Sequence, residues 1–130
     1  ERLSDGKDHS TELVELDATK QEIAELSRVM ADFGISLTDV AENSPKQDRT
    51  LEACGQVIRY ATENRSILDE LMKTRKLPMK RLVEGSGVSR KTLERHRRYI
   101  LAMLLIQTNG YEIIRGHLKR VYQRKGGEPV

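Results

Sequence analysis

The sequence predicts an all-α fold, a compact domain of about five to seven helices that contains a helix-turn-helix. Apolar residues recur at the helical spacings of three, four and seven positions. Proline occurs only three times in the 130 residues, and runs of β-branched residues are short. With one Phe and no Trp, the core must consist mainly of Leu, Ile, Val and Met.

The chain begins with a segment that is predicted to be a linker, residues 1–10. An amphipathic helix is expected over residues 11–33. Gly34 is expected to end it, because glycine adopts the left-handed conformation of a helix C-terminus without steric cost. The stretch SLTDVAE predicts a short second helix, with either Ser36 or Thr38 as its cap.

Two more helices are predicted in the first half of the chain. Pro45 breaks the chain, since the residue before a proline is disfavoured in a helix. Asp48 is expected to cap a helix over residues 49–60, and another follows through residues 67–72. The sequence at residues 62–64 leaves open whether these two helices join.

Charge is distributed unevenly along the chain. Residues 1–72 contain 8 Lys and Arg against 16 Asp and Glu, whereas residues 73–100 contain 10 against 2. Such a local excess of positive charge is typical of a surface that binds a polyanion. On charge alone, a basic face that is merely solvated, or one on which the acidic half docks, is as well supported as a surface that binds a polyanion. The acidic half is also a candidate shield for the basic face when DNA is absent.

The basic segment fits a helix-turn-helix, in which a tight turn joins two helices. Residues 79–85 (MKRLVEG) predict the first helix, with Pro78 at its first turn. The Gly85-Ser86-Gly87 sequence predicts the turn, in which either glycine can make the corner because both tolerate positive φ. Val88 is expected to fill the angle between the helices. A second helix is predicted over residues 90–107.

Ser89 is expected to cap that second helix by accepting from the backbone N–H of Lys91 or Thr92. Its buried stripe is predicted to contain Leu93, Ile100 and Leu104. Two positions depart from the usual motif: Val83 stands where a small residue normally allows close helix approach, and His96 stands near an aliphatic position. A role in the core or at a phosphate is expected for His96.

The exposed residues of the second helix are suited to DNA. The first turn of such a helix enters the major groove, where Arg or Lys donates to guanine and Ser or Thr contacts several base edges. Basic residues further along, or on the preceding helix, contact phosphates. Pattern and charge together favour DNA binding over a basic helix packed on an acidic partner.

Three ordered blocks carry a family resemblance: FGISLTDVAENSPKQDRTLE, LPMKRLVEGSGVSRKTLERHRRYILAMLLI and GYEIIRGHL. They resemble the C-terminal domain of the sigma-I family of bacterial RNA polymerase sigma factors, over roughly residues 18–118. The resemblance implies a cytoplasmic promoter-recognition domain that binds the −35 element. It also implies two protein partners. One is core RNA polymerase, bound through an N-terminal domain not present here, and the other is the cytoplasmic N-terminal domain of a membrane-anchored anti-sigma factor that holds the sigma factor inactive. Family members govern heat or cell-wall responses, or genes for polysaccharide degradation.

The resemblance also assigns roles by position. The base-proximal residues it implies are Ser89, Arg90, Lys91, Thr92 and Arg95. The phosphate contacts it implies are Lys80, Arg81, Arg97 and Arg98.

The predicted organisation is a linker, a single helical domain over residues 11–124, and a flexible tail over residues 125–130. The domain divides into an acidic helical half, the helix-turn-helix and a last helix, over residues 11–74, 78–107 and 110–124. The rival to DNA binding is a domain that mainly docks an anti-sigma factor or other regulatory partner, without strong autonomous DNA binding. For the first helix, a place in the core is favoured over such docking.

Other function classes are not indicated by the sequence. Cys54 is the only cysteine, which excludes an intrachain disulfide and a Cys-rich zinc site, and it is expected to be a buried small hydrophobe in a reduced, cytoplasmic protein. The three His residues are scattered, and no Gly-rich phosphate loop is present. No enzyme activity, metal, cofactor or small-molecule substrate is expected. The longest apolar run, residues 99–106, is shorter than the roughly 18 residues of a membrane span.

Overall fold

The chain is described here by a computed structural model, which covers the backbone of residues 6–109 and the side chains of residues 17–109. This part of the chain contains seven α-helices and no β-strand, which confirms the predicted all-α fold. The helices are α1 (Gly6–Asp32), α2 (Leu37–Asn43), α3 (Asp48–Thr62), α4 (Arg65–Thr74), α5 (Met79–Ser86), α6 (Arg90–Arg95) and α7 (Arg97–Thr108). The predicted last helix and tail, residues 110–130, lie outside the described residues.

Helix α7 is the centre of the fold, because α1, α2, α3 and α6 all pack against it. Most of its side chains are buried: Tyr99, Ile100, Leu101, Ala102, Leu104, Leu105 and Ile106. A helix that is apolar on all sides belongs in the interior, and the surrounding helices each contribute a side chain to the same core. Met30, Val57, Leu82 and Leu93 are fully buried in it.

Helix α1 begins at Gly6, earlier than the predicted start at Thr11, so residues 6–10 are helical rather than a linker. An established helix adds further residues at little cost, and no proline interrupts this stretch. The end of α1 agrees with the prediction that Gly34 terminates it. Gly34 has a φ of 77°, and the N–H of Ile35 donates to the carbonyl of Met30 at 3.1 Å.

Ser36 caps α2, which decides between the two predicted caps. Its hydroxyl accepts from the N–H of Asp39 at 3.1 Å, and the Asp39 carboxylate accepts from the Ser36 N–H at 3.1 Å. The predicted cap of α3 is wrong: Asp48 is the first residue of α3, and Gln47 precedes it without a side-chain cap. In the first turn, Asp48 still places negative charge at the positive end of the helix dipole.

Helices α3 and α4 do not join. The Asn64 side-chain amide donates to the carbonyl of Tyr60 at 2.7 Å, closing α3 before α4 begins at Arg65. Helix α4 ends at Thr74, and the following residue, Arg75, adopts a left-handed conformation with a φ of 65°. The Arg75 guanidinium then lies 5.7 Å from the centre of the Phe33 ring, which connects this corner to the end of α1.

The corner of the helix-turn-helix falls at one of the two glycines predicted for it, and α5 ends one residue later than predicted. Gly85 and Ser86 remain in α5, and Gly87 makes the corner with a φ of 77°. The N–H of Gly87 donates to the carbonyl of Val83 at 3.0 Å. Val88 is buried between the helices, as predicted.

The predicted continuous helix over residues 90–107 is wrong. It is divided into α6 and α7 at His96, whose φ of −111° and ψ of 29° are not helical. The local sequence contains neither Gly nor Pro at this point, and hydrogen bonds from Asn43 on α2 lie at the break.

Cys54 is fully buried in α3, in agreement with its predicted packing role. Burial raises the pKa of its thiol to about 11, so the group stays protonated and unreactive near neutral pH. Across the described residues, no helix combines the length and the apolar character that a membrane span needs.

Candidate nucleic-acid interface

Helix α6 has one buried side and a broad exposed side. Leu93 is fully buried, and α6 packs against α3 and α5. Arg90, Lys91, Glu94 and Arg95 are exposed. Since residues i and i+4 share a face of a helix, Arg90 and Glu94 form one row and Lys91 and Arg95 the next. Four of the five predicted base-proximal residues therefore lie on α6, and the fifth, Ser89, is its cap.

Ser89 is the predicted N-cap, and the structure confirms it. Its hydroxyl oxygen accepts from the N–H of Thr92 at 3.2 Å, and the hydroxyl donates to Thr92 Oγ1 at 3.0 Å. The hydroxyl is therefore occupied in holding the first turn of α6. Thr92 Oγ1 accepts that bond and retains its own hydrogen as a donor.

Arg90 is oriented by Glu94 on the same face. Its Nε donates to Glu94 Oε2 at 2.9 Å. A guanidinium has five N–H donors, so its two terminal nitrogens stay available for a planar acceptor such as guanine. Both side chains are more than half exposed, so this ion pair contributes little to stability and exchanges readily.

The predicted phosphate contacts occupy two different environments. Lys80 on α5 and Arg97 and Arg98 at the start of α7 are exposed. Arg81 is held against α4, where its guanidinium donates to Glu70 Oε1 at 2.9 Å and to Ser66 Oγ at 2.6 Å. It can hold a phosphate only with its remaining donors.

Asn43, at the end of α2, contacts both sides of the break between α6 and α7. Its side-chain Nδ2 donates to the carbonyl of Arg95 at 2.6 Å, and its Oδ1 accepts from the N–H of Tyr99 at 3.0 Å. Its main-chain oxygen lies 2.7 Å from His96 Nδ1. Because a carbonyl only accepts, Nδ1 carries the hydrogen, and half-buried His96 is tied to the backbone of α2.

Sequence reasoning missed Asn43, because nothing within its own segment indicates that it bonds to residues more than 50 positions away. It also missed a close contact between α3 and α5. A Cβ atom at Gly85 would overlap the ring of Tyr60, so α5 approaches α3 at Gly85. Val83 therefore does not need to be small, and it packs half-buried against the core.

No protein-family profile matches the chain, but several curated proteins do. RNA polymerase sigma factor SigI of Bacillus anthracis is 38% identical over 100 residues, 77% of this chain and 42% of that protein. SigI of Bacillus subtilis is 33% identical over 108 residues, 83% of this chain and 43% of that protein. SigI6 of Acetivibrio thermocellus is 28% identical over 125 residues, 96% and 49% of the two chains. The chain belongs to the sigma-I family of RNA polymerase sigma factors.

This sigma-I chain spans less than half the length of these curated relatives. Two of the blocks that carry the family resemblance meet in its structure. The first forms α2 and the start of α3, and the second forms α5, α6 and α7. Asn43 in the first block bonds to the α6–α7 junction in the second, so this contact joins two segments of the sigma-I pattern.

Proposed function

We propose that this sigma-I chain is a promoter-recognition domain that binds the −35 element through its helix-turn-helix. The observation that carries the proposal is α6 itself: a capped helix with Leu93 buried and its basic side chains exposed. It lies in the segment with 10 Lys and Arg against 2 Asp and Glu, residues 73–100. A positively charged helix presented in this way enters the major groove of DNA.

The proposed division of roles is the one that the family resemblance implies, and the positions of the residues support it. Arg90, Lys91, Thr92 and Arg95 contact bases, because they lie on α6 or its first turn, and Ser89 shapes that turn. The phosphate contacts are Lys80, Arg97 and Arg98, with Arg81 contributing through the donors that Glu70 leaves unused. The free N–H groups at the start of a helix add a further site for a phosphate.

A library of 20-base-pair duplexes with a randomised centre tests the proposal. We expect the chain to enrich one sequence over its scrambled version, and its binding to weaken steeply with salt. With about five phosphate contacts, the slope of log affinity against log salt is near −4.5 for duplex DNA. Failure to enrich any sequence, together with salt-insensitive binding, would contradict the proposal.

The partners of the whole sigma factor are further parts of the proposal. Acting in the cytoplasm, it would bind core RNA polymerase through a separate domain, and the N-terminal domain of a membrane-anchored anti-sigma factor would inhibit it. Helix α1 is a candidate anti-sigma contact. It packs on α7 and buries Leu26 and Met30, while Ile23 and Glu25 are exposed.

Co-purification of the chain with an anti-sigma N-terminal domain, followed by addition of the enriched duplex, tests this inhibition. We expect the duplex and the anti-sigma domain to compete, because an inhibitor of promoter binding must disfavour the DNA complex. The scrambled duplex is the control and should displace less. If the two ligands bind together without mutual effect, the inhibition does not act on this domain. Binding of the anti-sigma domain by a chain that enriches no DNA would instead favour a protein-interaction domain.

A further inference from the structure

Backbone carbonyl and N–H groups at the junction of α6 and α7 need hydrogen-bond partners from outside their own helices. The last carbonyl groups and the first N–H groups of a helix have no partner within their own helix. Where α6 ends and α7 begins, Arg95 contributes such a carbonyl and Tyr99 such an N–H. His96, the residue between the helices, makes no side-chain cap to α7. These groups are therefore left to water or to a side chain from elsewhere in the chain.

The side chain of Asn43 forms a hydrogen bond with each of these two backbone groups. A primary amide donates and accepts at the same time, so Nδ2 bonds the carbonyl at the end of α6 and Oδ1 bonds an N–H in the first turn of α7. The Asn43 backbone carbonyl adds a third bond, from His96 Nδ1. These bonds fix the end of α2 to both sides of the break. An Asp side chain could replace only the acceptor half of this arrangement.

The local sequence favours a different conformation of this segment. Residues 90–107 contain no Gly or Pro, and their apolar spacing predicts one uninterrupted helix. A continuous helix would satisfy the same backbone groups internally and would point α6 in another direction. The contacts that oppose it are the burial of Leu93 against the core and the bonds to Asn43.

We propose that Asn43 is a positioning residue for base recognition, which fixes the direction of α6 relative to α7. This inference rests on the proposed DNA-binding function. Base contacts require hydrogen bonds of good geometry, whereas contacts to phosphates tolerate displacement. Without Asn43, Leu93 still keeps α6 on the core, but α6 moves within a wider range of directions. Base discrimination is then lost more than overall affinity.

The variant Asn43→Ala removes both side-chain bonds, and Asn43→Asp retains an acceptor for Tyr99. Glu42→Gln, an exposed neighbour on the same helix, is the matched control. Without DNA, we expect amide hydrogen exchange at Tyr99 to accelerate in Asn43→Ala and to stay slow in Asn43→Asp and Glu42→Gln. Unchanged exchange at Tyr99 in Asn43→Ala would show that the junction does not depend on this bond, and would overturn the inference.

With DNA, the readout is the ratio of affinities for the enriched duplex and its scrambled version. A variant that only unfolds more often loses both affinities by the same factor, so its ratio does not change. We expect the ratio to fall roughly tenfold in Asn43→Ala, the scale of one bidentate base contact. It should fall less in Asn43→Asp and stay constant in Glu42→Gln.

The outcomes separate the two proposals. If the unmodified chain discriminates and Asn43→Ala keeps the full ratio, the positioning role is wrong while the proposed function stands. If the unmodified chain does not discriminate, the proposed function fails and the positioning role fails with it. Should Asn43→Ala not fold, Asn43→Asp decides the question: with its donor lost, an undiminished ratio again contradicts the inference.

Discussion

Replacing Gly85 with alanine is expected to destabilise the fold by about 1–2 kcal/mol, as overpacking does. In an ordinary helix this change stabilises by about 1 kcal/mol, because alanine is the better helix former. Here the added methyl would overlap the ring of Tyr60, which packs against the core. The Tyr60 ring has to move from its place against the core.

Urea unfolding of four chains measures this effect: the unmodified chain, Gly85→Ala, Tyr60→Ala and the double variant. In the Tyr60→Ala background, Gly85→Ala should become stabilising, because the overlap is gone. Gly55→Ala is the control, since Gly55 lies within α3 with open space around its Cβ position. It should stabilise by about 1 kcal/mol. A stabilising Gly85→Ala in the unmodified background would contradict the close approach at Tyr60.

Replacing Arg90 or Lys91 with alanine is expected to lower discrimination between the enriched duplex and single-base variants of it by about 1–3 kcal/mol at the contacted position. Both residues are exposed on the first turn of α6. Arg90 keeps its terminal nitrogens available while Glu94 holds its Nε. Each variant should relax the preference at one base pair and leave the rest of the sequence preference intact.

Arg98→Ala provides the contrast, because Arg98 lies at the exposed start of α7 and is proposed to bind a phosphate. It should weaken all duplexes alike and reduce the salt slope by roughly 0.9 for one lost phosphate contact. Fluorescence anisotropy at several salt concentrations gives both quantities for each variant. Equal losses on every sequence for Arg90→Ala, Lys91→Ala and Arg98→Ala would refute the assignment of base contacts.

Structural features that depend only on residues close together in the sequence were predictable from the sequence. Ser36 and Ser89 cap helices, and each does so by bonding an N–H three residues ahead. Gly34 ends α1, where only a residue tolerant of positive φ avoids strain. Leu93, Ile100 and Leu104 are fully buried, as apolar spacing predicted, although Leu93 lies on α6 and the other two on α7.

The sequence predicted which residues form the candidate interface, but not which hydrogen bonds those residues make. The sequence shows which residues are basic, and helical spacing shows which of them share a face with Arg90. It does not show that Arg81 is bound to Glu70 and Ser66 on another helix. Nor does it show that Ser89 uses its hydroxyl within the first turn of α6.

The all-α class, most helix ends and the exposed basic face thus follow from the sequence itself, because each depends on hydrogen bonds and apolar spacing within a few residues. The break at His96 and the close approach at Gly85 do not. The first involves Asn43, more than 50 positions from the residues it bonds, and the second involves Tyr60 on another helix. Only the packing of α2 on α7 and of α3 on α5 places those side chains there, so the direction of α6 is decided by the tertiary structure.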